Sequence, residues 1–186
     1  MDHADHVALI RAGVEPGGAW ADLGSGTGAF TLALAELLGP AGIIYSIDRD
    51  RASLREQQRR MRERFPATEI YYQVADFTAP LDLPPLDGIV LANSLHFQPD
   101  AGAVVARLRD LLRPAGRLVV VEYDTDRGNR WVPYPVSYST WQTVAVRAGY
   151  TDTRLLASRP SRFLGAIYAA LSVWPGTATP TRRAIP

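Results

Sequence analysis

The sequence contains no cysteine and no lysine. Without cysteine there are no disulfides, no thiolate-held zinc, no iron–sulfur cluster and no thiol nucleophile. Radical chemistry that starts from a cysteine-held cluster is closed for the same reason. Without lysine there is no Schiff base, and no phosphate loop that ends in Gly-Lys-Ser/Thr. All 20 basic residues are arginines, set against 19 acidic ones, for a formal net charge of +1. Such a balance supplies no general pull on nucleic acid or on an acidic surface. No apolar run approaches the ~18 residues of a membrane span. The amino end lacks the basic-then-apolar layout of a secretory signal. The expectation is a cytoplasmic protein without a membrane segment, bound metal or nucleic-acid partner.

What is there is one domain's worth of alternating pattern in 186 residues. Apolar runs at Ala19–Leu23, Ile43–Ile47, Ile70–Val74, Gly88–Ala92 and Arg117–Tyr123 predict strands. Helical patterns fall between them near Ala29–Leu38, Arg51–Phe65 and Ala101–Leu112. The first helix stops at Gly39-Pro40. In the second, Leu54, Gln58, Met61 and Phe65 share one face. Strands alternating with helices imply parallel pairing in a doubly wound sheet, and runs such as Leu118-Val119-Val120-Val121 suit strands covered on both faces. A helix near Ser139–Ala148 follows. The last two runs, Thr153–Ala157 and Arg162–Ala170, are joined only by Ser158-Arg159-Pro160-Ser161 and so should pair antiparallel. Residues 1–174 read as the domain and 175–186 as a flexible tail.

Chemistry concentrates at the strand ends. Gly24, Gly26 and Gly28 in Ala21-Asp22-Leu23-Gly24-Ser25-Gly26-Thr27-Gly28 lie between a strand and a helix. There the backbone can approach a ligand closely and the helix directs free N–H groups at it. The spacing also fits a dinucleotide fingerprint, with Ala29 as its third small residue. Asp22 separates the two ligands. A carboxylate under the loop repels a pyrophosphate but suits the ammonium and sulfonium of S-adenosylmethionine. Asp48 at the second strand end can accept from both ribose hydroxyls, while Asp50 is better placed to cap the next helix. Asp76 and Phe77, after the third strand, suit the adenine amino group and ring.

Ala21–Thr31, the acid at 48, Ala75-Asp76-Phe77, Leu91–Phe97 and Leu111–Leu118 together resemble the class I S-adenosylmethionine-dependent methyltransferases. The likeness is to the small-molecule group that includes quinone-biosynthesis C-methyltransferases, and it covers about residues 7–170. The resemblance implies a Rossmann-like α/β sheet of seven strands in the order 3-2-1-4-5-7-6, with strand seven antiparallel. It also implies that the backbone at Asn93 and Ser94 meets the methionyl part of the cofactor. The candidate cofactor contacts are thus Asp22, Gly24, Ser25, Gly26, Gly28, Asp48, Arg49, Asp76, Phe77, Asn93 and Ser94. Ala115 replaces a glycine usual in the family, a change expected only to stiffen a turn. About eighteen residues precede the first strand, where many relatives carry a longer cap. The lid is therefore short, or is completed by Asp124–Tyr138 or by a second copy in a homodimer.

Methyl transfer by in-line displacement needs no metal, and positioning supplies much of the rate. His96, after strand four, is the candidate general base, with Tyr123 a second candidate catalytic residue at the end of strand five. Glu122 reads equally well as a structural acceptor. The segment Arg130–Tyr138 reads as an acceptor-pocket wall or a packed surface loop. Asn93-Ser94-Leu95-His96 lacks the prolines found where exocyclic base amines are methylated. Seven arginines between 49 and 64 share a helix with acids and read as a solvated face. Asp2, His3, Asp5 and His6 read as an ordinary first helical turn rather than a metal site. The expected activity is methyl transfer to a small, aromatic or apolar acceptor. Its alternatives are a cofactor-binding module without turnover, an RNA or protein methyltransferase, and a nicotinamide-dependent oxidoreductase.

Overall fold

In the computed structural model, residues 1–176 are described. Most of the segment expected to be a tail, 177–186, lies outside the described residues. The elements run α1 (His3–Ile10), β1 (Gly18–Leu23), α2 (Ala29–Leu38), β2 (Gly42–Asp48), α3 (Arg51–Arg64), β3 (Glu69–Val74) and β4 (Leu86–Ala92). They continue with α4 (Ala101–Leu108), β5 (Leu112–Tyr123), α5 (Tyr138–Arg147), β6 (Thr151–Ser161) and β7 (Gly165–Val173). One sheet takes all seven strands in the order β3-β2-β1-β4-β5-β7-β6, with β7 antiparallel to both β5 and β6. This is the Rossmann-like methyltransferase topology, and it matches the order and the hairpin expected from the sequence.

The central strands of the sheet are buried on both faces, while the edge strands β3 and β6 are partly exposed. Along β1, Trp20 faces one side and Ala19, Ala21 and Leu23 the other, the period of two that a pleated strand imposes. Leu9 of α1, Leu32 and Leu34 of α2 and Met61 of α3 pack with Trp20. Val105 of α4 and Trp141 of α5 pack with Leu23, Ile89 and Tyr168 on the opposite face. Loops at the carboxyl ends of β1 to β5 consequently share one edge of the sheet, where open α/β sheets bind ligands. At the start of α1, Asp2 and Asp5 form a reciprocal capping box, so these acids serve the helix end.

Three local readings change. The hairpin turn is at residues 162–164, not Ser158–Ser161; those residues extend β6, with Pro160 opposite Ala166. A proline is tolerated there because β6 is the edge strand and one side of it needs no ladder donor. The fourth helix ends at Leu108 and a 3-10 turn leads into β5, whose register jumps from Leu86↔Leu112 to Gly88↔Arg117.

In that bulge Ala115 has φ +65°, and its N–H donates to Trp174 O at 2.8 Å. Its methyl group therefore strains the backbone, where the sequence suggested only stiffening. A left-handed L-residue costs roughly 1–2 kcal/mol, part of which glycine returns as unfolded-chain entropy. Ala115→Gly is expected to raise the unfolding free energy by about 0.5–1 kcal/mol, measurable by urea denaturation.

Candidate cofactor and acceptor site

The glycine loop folds over the end of β2. Gly24 N and Ser25 N both donate to Ile47 O, at 2.9 and 3.1 Å. A Cβ at Gly24 would stand 2.5 Å from Ser94 Cβ, and one at Gly28 would stand 2.4 Å from Gln57 Cγ. These two positions are therefore glycine because protein neighbours close on them, and both have positive φ as well. Gly26 N donates to Asp48 Oδ2 at 2.7 Å, tying loop to strand end. Arg60, on the exposed face of α3, donates to Thr27 O at 2.8 Å.

Beneath the loop lies a buried polar network that the sequence did not disclose. Gln57 is fully buried, and its Nε2 donates to Thr31 Oγ1 at 2.5 Å and Ser46 Oγ at 2.8 Å. Ser25 Oγ donates back to Gln57 Oε1 at 3.2 Å, and Thr31 Oγ1 donates to Asp22 Oδ2 at 2.6 Å. The inward residue of α3 is thus Gln57 rather than Gln58, because the loop offers hydroxyl partners there and no apolar wall. Ser25 and Asp22 face this network, and neither side chain lines the cleft.

Asp22 is 1 % exposed. Burial pushes its carboxyl up to about 7, the Thr31 hydroxyl opposes the rise and the Asp48 charge adds to it. A carboxyl with a raised folded-state pKa contributes stability that is complete below its unfolded value near 4 and is lost as pH rises through 7. Relative to wild type, Asp22→Asn should gain little at pH 4 and on the order of 4 kcal/mol at pH 8. Denaturant titrations at the two pH values check this.

The cleft above the loop, about 220 Å³, is lined by Gly24, Asp48, Arg49, Ala75, Asp76, Phe77, Asn93, Ser94, Phe97 and Gln98. Asp48 Oδ1 accepts from Asp50 N at 2.8 Å, and with the Gly26 bond each carboxylate oxygen keeps a free lone pair. Asp50 caps α3 through Ala52 N and Ser53 N, as expected. Asp76 Oδ1 accepts from Thr78 N and Oγ1, which hold its carboxyl below the usual carboxylate range, while Oδ2 has no hydrogen-bond partner among the described residues. Asn93 adopts φ +52°, its N–H donates to Val121 O, and its buried Oδ1 has no partner among the described residues. Carboxylate acceptors, an orphaned amide oxygen and the Phe77 ring fit a nucleoside with a cationic tail.

Beside the cleft, Glu122 Oε2 lies 2.6 Å from His96 Nδ1, while Oε1 accepts from Leu95 N and His96 N at 3.0 and 3.2 Å. Glu122 is fully buried and His96 is 3 % exposed. A carboxylate accepting from Nδ1–H leaves the lone pair on Nε2. The imidazole packs between Phe97 of the cleft, at 4.4 Å between centroids, and Tyr123, at 6.1 Å. Arg130–Tyr138 does not wall the cleft: Tyr134 N donates to His96 O at 3.0 Å, and Trp131 is 68 % exposed. Asn129 and Asp126 fold this segment on itself through Trp131 N, Val132 N and Ser137 N, and its Tyr134, Pro135 and Val136 line a separate pocket that adjoins the cleft at Gln98.

The sheet order and the acids at consecutive strand ends define a class I methyltransferase. Residues 15–147 match the family described as Methyltransferase domain, and the chain belongs to that family. Its methyl donor is S-adenosylmethionine. The chain is 26% identical over 133 residues to a ubiquinone/menaquinone biosynthesis C-methyltransferase of Burkholderia mallei, covering 72% of this chain and 53% of that one. It is 35% identical over 121 residues to an uncharacterized 37.1 kDa protein in a Streptomyces fradiae transposon, covering 64% and 34% respectively. The chain thus spans about half or less of these curated relatives. Magnesium protoporphyrin IX methyltransferase from Synechocystis shares the fold, with a TM-score of 0.68 at 18% identity over 92% of this chain and 77% of that one. No helix among the described residues is long and apolar enough to cross a membrane.

Proposed function

We propose that residues 1–174 form a methyltransferase domain that methylates a small acceptor at an atom that must lose a proton, with His96 as the general base. The His96–Glu122 pair carries this reading, because a buried carboxylate that fixes Nδ1 prepares Nε2 to take a proton. S-adenosylmethionine supplies a methyl group on a cationic sulfur, and the broken C–S pair stays with that sulfur. Asp48 accepts from the ribose hydroxyls, Asp76 and Phe77 hold the adenine, and Asn93 Oδ1 accepts from the methionyl ammonium. Gly24, Gly26, Gly28, Arg49 and Ser94 shape the cleft around these groups. Asp22 and Ser25 act from behind the loop, holding its curvature through Thr31 and Gln57. The name of the Burkholderia relative supports a carbon acceptor.

The test is release of S-adenosylhomocysteine in the presence of small phenols and 1,3-dicarbonyl compounds, each of which gives up a proton on methylation. Turnover that depends on His96 is the expected result. Equal turnover by His96→Ala with any acceptor overturns the base assignment.

A further inference from the structure

A second cavity, about 590 Å³, opens at Tyr123 between the start of α1 and the β6–β7 hairpin. Asp5, Tyr123, Arg159, Arg162, Phe163 and Ile167 lie on its wall. Tyr123, which follows Glu122 in β5, is the residue of this cavity that lies beside His96. Its ring centroid is 6.1 Å from that of His96 and 5.7 Å from that of Phe163. Phe163, at the turn, is half exposed and offers its ring to this space. The charges are unbalanced. Arg159 pairs with Asp5 at 3.4 Å, whereas Arg162 makes no ion pair with the described residues.

We infer that this cavity seats the methyl acceptor, and that the acceptor is a flat aromatic molecule carrying an anionic group. Its ring would lie against Tyr123 and Phe163, its acid on the Arg162 guanidinium, and its reacting edge toward His96. Planar rings pack on aromatic faces, and the arginine fork matches a carboxylate in two parallel bonds. A cationic acceptor is disfavoured, because the one carboxylate on the wall, Asp5, already faces Arg159. The Tyr123 hydroxyl is kept protonated, since burial and then the Glu122 charge push it up, and can donate to the ring substituent. The inference rests on His96 being the base only for which edge of the acceptor reacts, not for the anion site itself.

The experiment titrates 2-naphthoate and its neutral isostere 2-naphthamide by calorimetry, with and without saturating S-adenosylhomocysteine. The wild-type chain should bind the carboxylate about tenfold more tightly than the amide. Arg162→Ala, a surface change that leaves the fold intact, should bring that ratio to near one, and Arg162→Lys should restore part of it. Phe163→Ala should weaken both probes. His96→Ala should keep the ratio, so loss of the base reading and loss of this one are separable. Equal binding of the two probes, no binding of either, or an unchanged ratio in Arg162→Ala overturns the inference. Failure of S-adenosylhomocysteine to bind would instead count against the cofactor assignment.

Discussion

Replacing His96 by alanine should lower methyl transfer by about 10²–10⁴-fold while leaving S-adenosylhomocysteine affinity nearly unchanged. The two readouts part because His96 is not among the residues that line the cleft, although its ring packs on Phe97, which is. What the substitution removes is the proposed proton acceptor, whose Nδ1 lies 2.6 Å from Glu122 Oε2. Glu122→Gln separates chemistry from architecture. A glutamine Oε1 can still accept from Leu95 N and His96 N, but its amide no longer forms the charged partner of an imidazolium. Its rate should fall with acceptor KM little changed, whereas a purely structural Glu122 would lose thermal stability first. Single-turnover rates and melting curves of both variants distinguish the outcomes.

Asp48→Ala should weaken cofactor binding by at least about 10–100-fold, since hydrogen bonds to a charged group are each worth about 1.5–3 kcal/mol. Its carboxylate does two things at once. It keeps free lone pairs for the proposed ribose contact, and it fastens Gly26 N and Asp50 N. Asp48→Asn keeps one acceptor for the loop while losing the charge, so it should bind with intermediate affinity. Calorimetric titration with S-adenosylhomocysteine ranks the three. Equal affinity in wild type and Asp48→Ala would remove the ribose role.

The strands were legible because burial on both faces writes continuous apolar runs, and the glycine loop was legible because its small residues sit between a run and a helix. The order of the strands came from the family resemblance. The hairpin turn was misplaced for a physical reason: Ser158-Arg159-Pro160-Ser161 has turn chemistry, while the real turn at Arg162-Phe163-Leu164 has none. An edge strand tolerates what an interior strand cannot. Gln57 was hidden because helical periodicity ranks residues by hydrophobicity, and the face it occupies meets Ser25, Thr31 and Ser46. The pairing of His96 with Glu122 depends on β4 and β5 lying side by side, which brings together residues 26 apart. The Tyr123 cavity joins the first helix to the last hairpin, a contact no local pattern carries.

The most direct test of the central claim is a calorimetric comparison of S-adenosylmethionine, S-adenosylhomocysteine and NADH on the full chain. The strand-end acids and the buried Asp22 predict saturable binding of the first two, lost in Asp48→Ala, and none of the pyrophosphate-bearing nicotinamide. Binding of NADH alone would contradict the account.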